Sequence, residues 1–353
     1  MKIFLSLRIV PFFMNKIYDQ ECLLPFETQK IRIFDKQYSE TDPRFGYDID
    51  KRPISLLLNY GIVNLDKPAG PSSHEVSAFV RKILELKKAG HSGTLDPKVT
   101  GVLSVALNRA TKINRLLLTF GKEYVAIMHL HDDVKEEKIK NVVELFKGKI
   151  KQLPPVKSAV KRVVREREIY ELKLLEISGR DVLFRVSCQA GTYIRKLIHD
   201  IGISLGCGAQ MTQLRRTKVG PVREESSVTL QDLTDAFYYY KNENNDAFLR
   251  KCITPVERAI MPMPAVWIKD SAVDPVCNGF PINVPGIVRY SSDVQKGRLA
   301  AIFTLKGELV GFGNAVMGSK NIRKASFGTV VKIDSVLMPI STYPKYVKKT
   351  GNM

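Results

Sequence analysis

Apolar and polar residues along this chain change their period several times, and each change predicts an element. From Gly61, GIVNLDKP reads as a short apolar strand ending in a turn, which sets Lys67 at a strand-to-loop corner. PSSHEVSAFVRKILELKK then repeats at helical spacing, with Val76, Phe79, Val80, Ile83 and Leu84 on one face and Ser72 and Glu75 spaced as a capping box. VLSVAL predicts a buried strand and RATKINRLLLTF a helix, while KEYVAIMHLHD alternates as a strand with His129 and His131 on the same side. DVLFRVSC alternates again. QAGTYIRKLIHDIGISLGCG places Ile194, Leu197, Ile198, Ile201 and Leu205 on the core face of a helix that Gly206 or Gly208 stops. Arg195 lies in the first turn of that helix, off the apolar stripe, where spacing alone reads it as a solvated surface arginine. After the helical TLQDLTDAF and the polar KNENN, the texture changes near residue 262, and short strand-like runs punctuated by Gly and Pro continue to about 340 as a small all-β barrel.

Composition narrows the function. The chain has 353 residues, enough for two domains, and 55 Lys and Arg against 36 Asp and Glu leave a net charge of +19. Such an excess suggests a polyanionic partner, most often nucleic acid. The run from 147 to 167 carries eight Lys or Arg and one acid around a Pro-Pro turn. It is either a solvated face or a stiffened grip on a phosphate backbone, with Lys157 and Lys161 as candidate RNA contacts. Residues 1–60, by contrast, hold nine basic and eight acidic side chains and many aromatics, and read as a segment that packs on something. Five scattered cysteines without a C-x-x-C pair suggest a reducing compartment. His129 and His131 have no evident third ligand beyond Asp132 and Asp133, so no metal is expected. Arg8 and Pro11 interrupt the apolar start, which argues against a signal peptide, and Met14 is a second candidate start. No apolar run approaches the roughly 20 residues that span a bilayer.

The stretch GHSGTLDPKVTG, residues 90–101, sets one carboxylate, Asp96, among three glycines and two threonines, with His91 five residues upstream. Asp-Pro commonly starts a turn or helix, with Asp as the cap. A cap alone does not call for three glycines.

These motifs together are more specific than any one of them. LDKP, GHSGTLDPKVTGVL, KEYVAIMHLHD, QLPPVKSAVK with the following IYE, GTYIRKLIHDIGISLGCG and LRRTKVG stand in the order found in the TruB family of pseudouridine synthases, which the chain resembles over roughly residues 60–235. NLDKP, PSSHEV, SGTLDPKVTG and LRRTKVG are closer to the dyskerin branch, the box H/ACA enzymes, and NGFPINVPGIVRY is similar to a PUA domain. The resemblance implies an α+β catalytic domain with a mixed or antiparallel sheet and flanking helices at 61–262. It adds an N-terminal extension at 1–60 that wraps a β-barrel PUA domain at 263–341, and a short basic tail at 342–353.

It implies an isomerase that converts uridine to pseudouridine without a cofactor, guided by a box H/ACA RNA towards rRNA and assembled with three small core proteins, in the nucleus and nucleolus. It assigns Asp96 as the catalytic carboxylate, Tyr124 to stacking on the base, Arg195 to pairing with the aspartate and Leu214 to an apolar pocket wall. Lys67 becomes a supporting charge and His91 a grip on the flipped-out nucleotide. The glycines and Pro97 would then shape a loop that lets RNA approach Asp96. Rival readings are a stand-alone tRNA enzyme, a non-catalytic H/ACA RNA scaffold, and, without a recognisable helix-turn-helix or zinc module, a basic DNA-binding protein. The long Lys-rich C-terminal tail common in animal and fungal dyskerins is missing after KYVKK.

Overall fold

The computed structural model describes residues 21–154 and 161–345. Its larger sheet has ten strands, eight of them in the order Ile253–Pro255, Gly61–Lys67, Thr100–Leu107, Ala209–Val219, Lys122–Leu130, Asp181–Cys188, Arg165–Ser178, Gly148–Gln152. Every neighbouring pair in this row is antiparallel except one. Thr100–Leu107 and Ala209–Val219 run parallel through Thr100↔Arg215 and Gly101↔Arg216, a short seam that joins two antiparallel halves. Helices Ser73–Ile83 and Leu230–Glu243 close one half over Val76, Val80, Leu103, Val105 and Leu233. Helices Glu136–Glu144 and Ile194–Leu205 close the other over Ile139, Val143, Phe184, Leu197 and Ile201. The loops that meet at the seam carry the chemistry.

Local chemistry explains most of these elements. Ser72 accepts from the Glu75 N–H at 3.2 Å while Glu75 accepts from the Ser72 N–H at 2.7 Å, so the capping box forms as spaced. Val76, Val80 and Leu84 are buried, but Phe79 is 44% exposed. Its position falls off the stripe completed by buried Ser73 and Ser77, two small polar residues that periodicity of apolar residues passes over. The five apolar positions expected on the Ile194–Leu205 helix are all buried, and Gly206 ends it at φ +80°. RATKINRLLLTF is not one helix. It forms a 3₁₀ segment, Asn108–Ile113, and then a single α turn, Asn114–Leu117, with Leu118 half exposed.

The second sheet has seven strands in the order Ile33–Asp35, Ile287–Ser291, Ala265–Ile268, Leu299–Phe303, Leu309–Ala315, Thr329–Val336, Ile282–Asn283, around a core that includes Val266, Ile302, Val310 and Val330. An apolar cluster of Ile62, Ala106, Leu116, Ala265, Phe312 and Leu337 joins the two sheets, and Arg109 Nε donates across it to the Leu337 carbonyl at 2.7 Å. Tyr343, expected in a basic tail, is instead buried, its hydroxyl donating to Glu308 at 2.7 Å.

The described part of the extension does more than wrap the second sheet. Ile33–Asp35 adds its edge strand, but residues 21–24 lie on the larger sheet, where the Cys22 N–H donates to Glu123 at 2.8 Å and Glu21 pairs with Lys218 at 2.9 Å. Glu123 is fully buried and also meets Arg185 at 2.9 Å and Thr217 at 2.7 Å, so a charged anchor sits one residue from Tyr124. Among the described residues no helix is long and apolar enough to cross a membrane.

Candidate active site

Asp96 stands at the head of a turn whose backbone is held at almost every peptide. The Val99 N–H donates to the Asp96 carbonyl at 2.9 Å, with Pro97 pre-setting the turn. Among the described residues the Asp96 carboxylate accepts from no backbone N–H; its partner is the Arg195 guanidinium, 99 residues along the chain. Lys67 is fully buried, and its ammonium donates to the carbonyls of Pro68 at 2.9 Å, Pro97 at 3.1 Å and Val99 at 3.0 Å. Two of its protons hold the loop that carries Asp96 and the third its own neighbour Pro68, so Lys67 is a clamp. The Gly70 N–H adds a bond to the Pro97 carbonyl at 2.9 Å.

Two of the glycines have reasons within the fold itself. Gly101 has φ +99°, and a Cβ there would lie 2.2 Å from the Arg216 carbonyl oxygen across the parallel seam, so only glycine lets the two strands touch where the loop rejoins the sheet. Gly93 has φ +134°, a backbone conformation that favours glycine.

Arg195 reaches Asp96 from the first turn of the Ile194–Leu205 helix. Both side chains are open, 54% exposed for Asp96 and 56% for Arg195, so the carboxylate is not in a water-excluding site in the chain alone. Tyr124 lies opposite Arg216 in the central pairing of Lys122–Leu130 with Ala209–Val219, and Leu214, opposite Ala126, sits partly buried beside it. Arg216 is buried, donating from Nε to the Val102 carbonyl at 2.8 Å and from Nη2 to the Gly93 carbonyl at 3.2 Å, and its charge acts on the Tyr124 phenol opposite it. Through Gly93 it grips the loop upstream of Asp96. His91 accepts the Gly93 N–H on Nδ1 at 3.3 Å, which leaves its proton on Nε2, and stands edge-on to His74 with ring centroids 4.8 Å apart. Asp96, Tyr124, Arg195, Lys67, His91 and Leu214 thus come together at the seam.

Comparison with known proteins places this architecture. Residues 81–194 match the TruB family pseudouridylate synthase N-terminal domain, 195–261 the tRNA pseudouridylate synthase B C-terminal domain, 264–337 the PUA domain and 23–77 the DKCLD (NUC011) domain. A probable tRNA pseudouridine synthase B of Pyrococcus abyssi is 52% identical over 92% of this chain and 97% of its own length. The chain belongs to the TruB family of pseudouridine synthases. Its DKCLD and PUA matches place it in the dyskerin-type branch, and it is an RNA pseudouridine synthase. The Methanopyrus kandleri relative of the same description is 53% identical over 93% of this chain and 96% of its own. Among solved structures, a chain of a Cbf5–Nop10–Gar1 complex superposes with a TM-score of 0.89 at 51% identity, covering 92% of this chain and 98% of that one. A chain of an H/ACA RNP bound to a substrate RNA containing 2′-deoxyuridine gives 0.87 at 48%, covering 92% and 100%.

The electrostatics of the synthase follow from its burial. Burial, and then the Arg216 charge, push the Lys67 ammonium below the usual lysine range, against the pull of Asp96. Burial pushes the Tyr124 phenol up while Arg216 opposes it. Replacing Lys67 by Met should leave the Val99 carbonyl without its donor and take one of two donors from the Pro97 carbonyl. We expect the single-turnover rate of Lys67→Met to fall by about 10²-fold, the size of a displaced reacting group, with a lower Tm and RNA affinity little changed. Equal losses in affinity and rate would assign Lys67 to RNA binding instead.

Burial, then His74 and Arg216, lower the His91 pKa from its ordinary 6.5 to about 4. The unfolded chain takes up this proton near pH 6.5 and the folded one only near pH 4, so stability falls as pH drops through that window. In a plot of Tm against pH, His91→Gln should flatten the slope between pH 6.5 and 4, and parallel slopes would refute the assignment.

Lys161 is exposed within the basic run and has no bond to this cluster among the described residues, and Lys157 falls outside the described residues. Three residues of the site were not legible: Arg216, the last residue of the LRR that Leu214 opens; Ser73, whose hydroxyl bonds Leu95; and Gln152, whose amide bonds Tyr193.

Proposed function

We propose that this synthase is the catalytic subunit of a box H/ACA-type ribonucleoprotein, isomerising guide-selected uridines in rRNA with Asp96 as the essential carboxylate. The observation that carries the reading is the open Asp96–Arg195 pair on a rigidly held loop: the catalytic group is fixed in place, but water is not excluded from it. Bound RNA supplies that cover. The likeness to chains of a Cbf5–Nop10–Gar1 complex and an H/ACA RNP supports a guide RNA and small core proteins as partners.

The reaction breaks the C1′–N1 bond of uridine, turns the base and joins C1′ to C5, with no net redox change, so the chain's own residues suffice. Asp96 acts as nucleophile at C1′ or base at C2′. Arg195 orients its carboxylate, Tyr124 stacks on the base and Leu214 lines the pocket. The neutral His91 offers its Nε2 proton to the flipped nucleotide, and Lys161 meets phosphate.

The descriptions of the curated relatives favour a second reading, a guide-free tRNA enzyme. Pseudouridine formation on a guided target and on a tRNA T-arm, each with and without guide and core proteins, separates the two. Activity that needs the guide supports the first reading; guide-free activity on the T-arm supports the second.

A further inference from the structure

The two halves of the ion pair come from distant loops, and each loop is pinned just ahead of the charged residue by a buried polar side chain. Ser73 is fully buried in the first turn of its helix. Its Oγ accepts the Leu95 N–H at 2.8 Å and donates to the Leu95 carbonyl at 3.1 Å, so one hydroxyl satisfies both backbone groups of the residue before Asp96. Among the described residues no other group bonds either one. Gln152 is 2% exposed at the end of the strand Gly148–Gln152. Its Oε1 accepts the Tyr193 N–H at 3.0 Å and its Nε2 donates to the Tyr193 carbonyl at 3.1 Å, two residues before Arg195. The same two-bond grip occurs on both sides of one ion pair.

We propose that Ser73 and Gln152 are positioning residues that set the Asp96 carboxylate against Arg195 for the isomerisation. Neither touches the reacting atoms. Each acts through one residue, whose two flanking peptides a side chain with a donor and an acceptor holds against rotation as well as translation. Ser73 is itself steadied, because the Ser72–Glu75 box closes its helix end; the Ser77 hydroxyl, one turn on, donates to the Ser73 carbonyl at 2.9 Å within the helix. The inference rests on Asp96 being the catalytic carboxylate.

The test compares Ser73→Ala, Gln152→Ala and Ser77→Ala in the assembled complex, reading the single-turnover rate at saturating enzyme, substrate-RNA affinity and Tm, with Asp96→Asn in parallel. Ser77→Ala removes a hydrogen bond of the same buried turn without touching the loop. Ser73→Ala and Gln152→Ala should each slow the chemical step about tenfold or more while affinity stays within about twofold, since small misplacement of a reacting group is costly. Ser77→Ala should keep its rate within about twofold at a similar loss of Tm. Rates of Ser73→Ala or Gln152→Ala within twofold of the parent, or a Ser77→Ala rate as low as theirs, would overturn the proposal. An active Asp96→Asn would overturn the reading beneath it, whereas a dead Asp96→Asn beside normal Ser73→Ala and Gln152→Ala rates would remove the positioning inference alone.

Discussion

Asp96→Asn should abolish pseudouridine formation, by on the order of 10³-fold or more, while leaving the fold intact. The substitution keeps the shape and removes only the charge, so a carboxylate acting as nucleophile or base has no substitute. Its stability cost is small for a specific reason. More than half of each side chain in the Asp96–Arg195 pair is exposed, and exposed ion pairs contribute about 0–1 kcal/mol. Tm within about 2 °C of the parent and unchanged RNA affinity are therefore expected beside the lost rate. An active variant would make the pair structural and Asp96 a turn residue.

Gly101→Ala should have the largest effect on the fold. Its new Cβ would meet the Arg216 carbonyl oxygen at 2.2 Å and its amide nitrogen at 2.9 Å, both backbone atoms that cannot swing aside, and φ +99° is costly for any L side chain. Strain and overpacking together come to roughly 3–5 kcal/mol. Urea unfolding should show that loss. Activity should fall too, because the strand that moves carries Val102, an anchor of Arg216. Full stability would mean the seam is looser than described.

The contrast between these two residues shows what could be read from the chain. Asp96 was legible because its motif travels with KEY, GTYIR and LRR in a family order, although spacing alone left it as a cap. Arg195 was not legible by spacing at all: on the helix it is an ordinary exposed arginine, and only contact across 99 residues gives it a partner. Gly101 was visible as one of three glycines, but its reason lies on a strand more than a hundred residues away. Period-based reading succeeded where apolar residues do the packing, as on Ile194–Leu205, and failed where small polar residues do it, as Ser73 and Ser77 do in place of Phe79. Lys67, Ser73 and Gln152 share one feature that no local pattern records, a side chain satisfying the backbone of a distant loop.

On the proposed function, an external RNA chooses the uridine and Asp96 carries out the isomerisation. The most direct measurement maps pseudouridine at nucleotide resolution in one target RNA, using the complex assembled on two guides whose pairing segments designate different uridines. The modified position should move with the guide, and modification should vanish in both cases with Asp96→Asn. Modification at one fixed uridine whichever guide is present, or at a tRNA T-arm with no guide at all, would contradict it.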